Sequence, residues 1–279
     1  PEKVEYMVFP RILALSEVVW SPLDKKDFSD FQSRLPHQFE RLDRQNVNYR
    51  IPAPDGLQNI LLAETDKAKI ELKLPLPTAK IFYTLDGSEP TEKAAEYKEP
   101  FEVTLANNEK KELKTIVVTE KWRKSVIYAA TLMRRSYLNA VEPASKNEGV
   151  SFAYYKNSFK SVAEMDRATP TETGETKSVQ LAQFAKKQDL KEPFGVIFDG
   201  LINVPNDGIY EFQVESDDGA VLQIDGETVV DNDGLHSFLI KTGIIPLRKG
   251  FHRIRFKYFQ GGGDAALNLR WGVKGTGLR

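Results

Sequence analysis

The spacing of hydrophobic residues divides the chain into a helical beginning and a longer part that alternates with a period of two. Between residues 4 and 20, apolar side chains recur every three or four positions and others cover the opposite side, which predicts a helix with packing partners on several faces. Ser21 and Pro22 then supply an N-cap and a first-turn proline. A second helix with one apolar stripe follows, and Pro36 interrupts it where we expect a kink.

A linker of two prolines and a glycine, residues 49–56, ends the helical part. From residue 57 to residue 136, short segments alternate apolar with charged residues, as in Ile81–Leu85, where Asp86 and Gly87 close the strand in a turn. The number and length of these segments predict a small two-sheet β-sandwich.

A second polar linker spans residues 138–149, and the last domain covers residues 148–277. Seven predicted strands lie between residues 195 and 271, separated by glycine and Asp/Asn turns, which is typical of a larger β-sandwich or jelly roll. Residues 166–178 are rich in Thr and Glu, so we expect a long exposed loop there. The predicted fold class is therefore mainly β, with a short N-terminal helical segment.

Composition excludes several classes of function. The net charge is −1, so the chain has no general electrostatic attraction for nucleic acid or anionic membranes. It has no cysteine, which removes disulfides, thiolate metal sites and cysteine nucleophiles. No apolar run is long enough for a membrane-spanning segment. Because the pattern at Pro1 is already that of mid-domain material, we expect the chain to be a piece of a larger protein.

Three segments resemble three parts of one known architecture. Residues 5–21, with Phe9-Pro10-Arg11, Glu17 and Trp20-Ser21, look like the last barrel helix of family 20 glycoside hydrolases, the β-N-acetylhexosaminidases. The resemblance makes residues 1–48 the end of a TIM barrel. Glu17 has a catalytic and a structural interpretation, and we favour an ion pair with a residue such as Arg11.

The other two resemblances lie in the predicted sandwiches. Residues 81–91, followed by Tyr97 and Pro100-Phe101, are similar to the small fibronectin-like C-terminal sandwich of the same enzymes. Residues 208–226 and the segment that follows resemble the protective-antigen-type β-sandwich of toxins, glycosidases and adhesins. The order of the three segments favours a hexosaminidase over a toxin.

The resemblance implies a parent enzyme that removes terminal N-acetylglucosamine or N-acetylgalactosamine from glycans. Family 20 enzymes use an adjacent Asp-Glu pair and the acetamido group of the substrate, and by family order that pair precedes residue 5. We therefore expect no catalytic residues here and an accessory role, in a periplasmic, cell-surface or extracellular bacterial protein. The expected partners are glycans containing N-acetylhexosamine and the parent's own barrel.

Asp217 and Asp218 are the candidate ligand site of the last sandwich, for carbohydrate and for Ca²⁺. In adhesins that the sandwich resembles, such a pair, joined by a cis peptide, holds Ca²⁺ that touches sugar hydroxyls. The resemblance adds Tyr258, Gly262 and Asp264 as carbohydrate contacts. The loop after Tyr258, however, has no asparagine before Asn268, unlike that of the adhesins. The alternative is that one aspartate bonds backbone amides and the other faces solvent.

Exposed aromatic rings are the usual platforms for sugars, because the apolar face of a pyranose stacks on them. Two functions therefore remain open at this point: carbohydrate binding by the last sandwich, or a structural module that buttresses the barrel or forms a homodimer. No cofactor for catalysis is expected. The candidate platforms by residue type are Tyr97, Trp122, Tyr154, Tyr155 and Tyr258.

Overall fold

The computed structural model describes residues 2–76, 78–143, 149–181, 184 and 192–278. These residues divide into two units, Pro1–Arg135 and Ser136–Arg279, each with its own hydrophobic core. Over the described residues strands outnumber helices, which confirms the predicted mainly β class. None of the described helices is long and apolar enough to cross a membrane.

The first unit begins with three helices, α1 (Glu2–Val8), α2 (Arg11–Trp20) and α3 (Phe28–Arg44). The single helix predicted over residues 4–20 is wrong, because α1 ends at Val8 and α2 begins at Arg11, with Phe9 and Pro10 between them. Asp27 caps α3 by accepting from the amides of Ser29 and Asp30. Pro36 lies inside α3, which continues past it to Arg44.

Two sheets follow the helices in the first unit. The strands of the larger sheet lie in the order β1-β7-β6-β3-β4, and β2 pairs with β5 in the smaller one. The ranges are β1 Ile60–Leu62, β2 Lys67–Ile70, β3 Lys80–Thr84, β4 Ala95–Glu96, β5 Phe101–Thr104, β6 Lys110–Val118 and β7 Tyr128–Arg134.

The core of the first unit lies between α3 and the small sandwich. Phe39 and Leu42 of α3 are buried among sandwich residues such as Ile81 and Leu132. The N-terminal helical segment thus packs on the small sandwich through α3. Glu17 of α2 accepts a hydrogen bond from Arg34 of α3 at 2.9 Å, so its partner is Arg34 and not Arg11.

The second unit is a sandwich of two antiparallel sheets. Six strands lie in the order β13-β12-β15-β10-β8-β9, and three in the order β14-β11-β16. The ranges are β8 Val150–Tyr155, β9 Glu172–Thr176, β10 Phe194–Val204, β11 Gly208–Asp217, β12 Ala220–Ile224, β13 Glu227–Asn232, β14 Leu239–Leu247, β15 Gly250–Gln260 and β16 Ala266–Val273.

Alternation along β11 and β15 builds the core between the two sheets. On β11 every second residue, including Phe212 and Val214, is buried. The opposite face of the large sheet carries a second apolar cluster, in which Met165 of a 3₁₀ turn (Val162–Arg167) packs against Ile197 and Phe259. The exposed loop predicted over residues 166–178 is wrong in part, because residues 172–176 form the edge strand β9.

Candidate functional site

Three loops of the second unit meet around the Asp218 side chain. They are the turn from β11 to β12 at residues 217–219, the loop between β13 and β14 at 233–238, and the loop between β15 and β16 at 261–265. Asp218 is 7% exposed; its Oδ1 accepts from the His236 amide at 2.9 Å and its Oδ2 from the Gly261 amide at 2.8 Å. One buried carboxylate thus links two loops that are separate in sequence.

Glycines allow this close approach of the loops. A Cβ atom on Gly219 would collide with the ring of Phe259, and one on Gly261 would lie 2.5 Å from Leu235 Cδ2. The peptide between Asp217 and Asp218 is cis. Gly219 and Gly261 therefore have a packing reason that the sequence analysis did not identify.

Tyr258 and Gln260 of β15 donate hydrogen bonds to backbone carbonyl oxygens of the surrounding loops. Tyr258 is fully buried, and its hydroxyl donates to the Asp217 carbonyl oxygen at 2.5 Å, with Gln260 Oε1 as a second acceptor at 3.0 Å. Burial raises the pKa of Tyr258, and the nearby Asp218 and Asp217 carboxylates raise it further. Gln260 Nε2 donates to the Asp264 carbonyl oxygen at 3.2 Å. Tyr258 consequently has no ring face for a sugar, contrary to the contact expected from the resemblance.

The remaining predicted residues point outward. Among the described residues, no hydrogen-bond donor reaches the half-buried carboxylate of Asp217. Asp264 is exposed, and the Cβ position of Gly262 faces open space. The structure therefore brings the five predicted site residues to one end of the unit, two of them as supports (Asp218 and Tyr258) and three at the surface (Asp217, Gly262 and Asp264).

The loop at 233–238 adds apolar side chains that the sequence analysis missed. Leu235 and Phe238 are 58% and 50% exposed, and they flank His236, whose amide bonds to Asp218. The His236 ring lies within hydrogen-bond distance of the Ser237 and Asn232 carbonyl oxygens, which holds the loop in place. Apolar residues directly after an Asp-Gly turn were the signal that could have revealed this surface.

The other aromatic candidates are mostly buried. Tyr154 and Tyr155 are 8% and 5% exposed, and the Tyr97 hydroxyl accepts from the Leu72 amide. Trp122, at the tip of the β6–β7 hairpin in the first unit, is 73% exposed. Of the five aromatics predicted as platforms, Trp122 alone has a largely exposed side chain, with Tyr97 intermediate.

Carboxylate and carbonyl oxygens are the ligands that Ca²⁺ prefers, and it binds six to eight of them. Both oxygens of Asp218 already accept backbone hydrogen bonds. Within the described ranges, no group of three or more carboxylate, histidine or cysteine side chains is placed to hold a metal ion. The side-chain amide oxygen of Gln260 accepts from Tyr258, whereas that of Asn232, whose Nδ2 donates to Ser216 Oγ, is buried and has no hydrogen-bond partner among the described residues.

Comparison with known proteins assigns both β regions. Residues 146–278 match the PA14 domain. Residues 70–132 match the domain described as Fn3 associated. The PA14 domain thus contains the whole cluster around Asp218, and the Fn3-associated domain contains most of the small sandwich.

The chain is also similar to curated enzymes. It is 30% identical over 261 residues to a β-hexosaminidase of Porphyromonas gingivalis, covering 91% of this chain and 33% of that protein. It is 24% identical over 110 residues to the N,N'-diacetylchitobiase of Vibrio harveyi, covering 31% of this chain and 12% of the enzyme. The chain therefore spans about a third of the first relative. These findings confirm the resemblance to the C-terminal region of a hexosaminidase.

Solved structures similar to the chain include the PA14 sugar-binding domain from an RTX adhesin. That domain is 21% identical with a TM-score of 0.39, and the match covers 47% of this chain and 93% of the domain.

Proposed function

We propose that this chain is the C-terminal accessory region of an exported β-N-acetylhexosaminidase and that its PA14 domain binds carbohydrate. The observation that carries the proposal is the similarity to the P. gingivalis β-hexosaminidase over 91% of the chain. The order of helices, Fn3-associated domain and PA14 domain agrees with that assignment. The glycans would be those that end in N-acetylglucosamine or N-acetylgalactosamine.

The surface around Asp217 has the chemistry that a sugar needs. The Asp217 carboxylate is a hydrogen-bond acceptor for hydroxyl groups, and no described side chain or amide donates to it. Phe238 supplies an exposed apolar ring on a neighbouring loop of the same end, and such rings stack on pyranose faces. A carboxylate and an aromatic ring at one end of a sandwich favour carbohydrate over an anionic ligand.

Titration of the whole chain with N-acetylglucosamine, N-acetylgalactosamine and chitobiose, followed by calorimetry, tests this proposal. We expect saturable binding that Asp217→Asn and Phe238→Ala weaken. Phe28→Ala, which removes an even more exposed phenylalanine from the first unit, is the control and should leave binding unchanged. Heat from none of the three sugars would refute carbohydrate binding.

The proposed role is non-catalytic. The sequence contains no adjacent Asp-Glu pair of the kind that family 20 enzymes use. We therefore expect the chain to release no chromophore from a chromogenic N-acetylglucosaminide. Release that persists after repeated purification and is abolished by a single carboxylate substitution would contradict this.

A structural role is the second candidate, and the exposed face of α1 and α2 favours it. Six apolar side chains of these two helices are more than half exposed, which is unusual for helices on the surface of a complete domain. A barrel of the parent protein is the cover that we propose for this face. The side chains concerned are Val4, Met7, Leu15, Val18, Val19 and Trp20.

The structural role can be tested by making the same substitution, Leu15→Glu, in the isolated chain and in the full-length parent. Leu15→Glu should leave the stability of the isolated chain unchanged, because Leu15 is 60% exposed there. In the full-length parent the same substitution should lower the thermal midpoint of the catalytic part. Equal effects in the two proteins would argue against a covering barrel, and concentration-dependent sedimentation of the chain would indicate a homodimer instead.

A further inference from the structure

We propose that the tip of the β6–β7 hairpin in the first unit is a second carbohydrate-binding site, where the Trp122 indole stacks on a neutral, β-linked saccharide. This site shares no residue with the surface around Asp217. The proposal therefore does not rest on carbohydrate binding by the PA14 domain, and either of the two can fail without the other.

The backbone position of Trp122 is one that usually belongs to glycine. The Trp122 amide donates to the Thr119 carbonyl oxygen at 2.9 Å, and the Thr119 amide donates to the Arg123 carbonyl oxygen at 2.9 Å, so residues 120–122 form a three-residue hairpin loop. The last residue of such a loop takes a positive φ, where glycine is favoured. Trp122 has a φ of 60°, which a residue with a Cβ atom adopts only at a cost in free energy. Glycine would therefore serve the fold better at this position.

The indole of Trp122 does not repay this cost by packing. Its side chain is 73% exposed, and it belongs to none of the hydrophobic clusters found among the described residues. Backbone strain that the fold does not require is concentrated at binding and catalytic sites, and tryptophan is enriched among residues that anchor ligands and partners. An exposed tryptophan in a glycine position therefore indicates recognition.

A polar cavity adjoins the hairpin tip. Its volume is about 530 Å³, which lies within the range of about 300–1,000 Å³ for small-molecule sites. Lys121 and Arg123 both line this cavity, so Trp122 lies between two residues of its wall. The other lining residues are Glu2, Asp43, Asn46 and Asn48.

The side chains that line the cavity favour a neutral ligand. Two of them are acidic and two are basic, so their formal charges cancel. The Arg123 guanidinium is already engaged, by Asp43 Oδ1 at 3.1 Å and by Asn48 Oδ1 at 3.3 Å. In the part of the chain that the structure describes, no hydrogen bond engages the Asn46 carboxamide or the Lys121 ammonium group. These two groups offer donors and one acceptor to ligand hydroxyls.

A β-1,4-linked saccharide has the chemistry that this arrangement would recognise. Its ring substituents are equatorial, which leaves a flat apolar face for the indole, since aromatic rings bind apolar surfaces face to face. The hydroxyl groups at the edge of the ring would then meet the carboxamide of Asn46 and the ammonium group of Lys121. An anionic or cationic ligand would gain nothing from a lining whose charges cancel.

Intrinsic tryptophan fluorescence of the whole chain, titrated with chitobiose and with cellobiose, tests this proposal. At least one of the two sugars should give a saturable change that Trp122→Gly abolishes, and calorimetry should show binding at this site weakened at least tenfold. Trp122→Gly relieves the backbone strain, so its thermal midpoint should not fall and unfolding cannot explain the loss. Trp20→Ala is the matched control, because Trp20 is 85% exposed in the same unit.

Two further variants separate this site from the surface around Asp217. Asn46→Gly tolerates the positive φ of 54° and removes the carboxamide, so it should weaken binding about fivefold. Asp217→Asn combined with Phe238→Ala should leave the fluorescence change intact. If that double variant abolishes all binding while Trp122→Gly retains it, the second site is overturned and the PA14 domain alone binds sugar. The opposite result supports the second site and refutes the proposed function. No fluorescence change with either sugar, or equal effects of Trp122→Gly and Trp20→Ala, would also overturn the second site.

Discussion

Replacing Arg123 with alanine should loosen the attachment of α3 to the β6–β7 hairpin in the first unit. The guanidinium group lies 4.5 Å above the centre of the Tyr49 ring. It also donates three hydrogen bonds to the last turn of α3 and the segment after it: Nη1 to Asp43 Oδ1 at 3.1 Å and to the Val47 carbonyl oxygen at 2.8 Å, and Nη2 to Asn48 Oδ1 at 3.3 Å.

The magnitude follows from these contacts and their exposure. Hydrogen bonds to a charged group contribute about 1.5–3 kcal/mol each when buried. Arg123 and Asp43 are 26% and 16% exposed, so solvent screening reduces the ion pair to the range of about 1 kcal/mol. Adding about 1 kcal/mol for the cation–π contact and about 1 kcal/mol for the bond to Val47 gives a loss of about 3 kcal/mol.

Differential scanning calorimetry, combined with peptide-resolved hydrogen exchange to separate the two units, measures this loss. A loss of about 3 kcal/mol should lower the midpoint of the first unit by roughly 10 °C and leave the second unit unchanged. Arg123→Lys keeps the charge but not the planar fork, so it should retain less than half of the stabilisation. Lys121→Ala, in the same hairpin, controls for the lost charge. An Arg123→Ala midpoint equal to that of Lys121→Ala would refute the reasoning.

Three further predictions concern other sites. His252 is fully buried, with Nδ1 2.6 Å from Asp225 Oδ2 and Nε2 2.7 Å from the Arg248 carbonyl oxygen. His252→Ala should therefore destabilise the second unit by about 3–5 kcal/mol, measured by urea unfolding. A loss of stability below about 1 kcal/mol would contradict this prediction. Trp122 has a φ of 60° and is 73% exposed, so Trp122→Gly should stabilise the first unit by about 1 kcal/mol, and destabilisation would show that the ring packs on something. Burial raises the pKa of Tyr49 from 10.0 to about 12, with Asp43 adding to the shift. The neutral phenol therefore stabilises the fold fully below pH 10 and progressively less as the pH rises to 12, and the alkaline absorbance titration should lose one late component in Tyr49→Phe.

The sequence predicted those parts of the fold where burial follows a simple period. Strands β10, β11 and β15 lie where apolar residues alternate or run together, because each has at least one face in the core. Strand β9 was missed because an edge strand with Glu and Thr on both faces has no hydrophobic period. The break between α1 and α2 was missed because the apolar spacing continues across Phe9 and Pro10.

The candidate site was predicted in its residue types but not in its roles. Asp218 bonds backbone amides of His236 and Gly261, and an amide carries no sequence signature that could identify it as a partner. Tyr258 was chosen as a sugar platform by type, although its place on β15 between β10 and β12 buries it completely. Residue chemistry therefore located the end of the sandwich, whereas burial decided which residues face a ligand.

The two edges of the six-stranded sheet have a consequence for how copies of the chain could associate. Strand β9 ends one side and carries the exposed Glu175, and strand β13 ends the other and carries the exposed Asp231. Like-charged carboxylates along unpaired strand edges repel a second edge and discourage continuous sheets between molecules. Concentrated solutions should therefore resist fibril formation through this sheet, and any self-association would use the apolar helical face of the first unit instead.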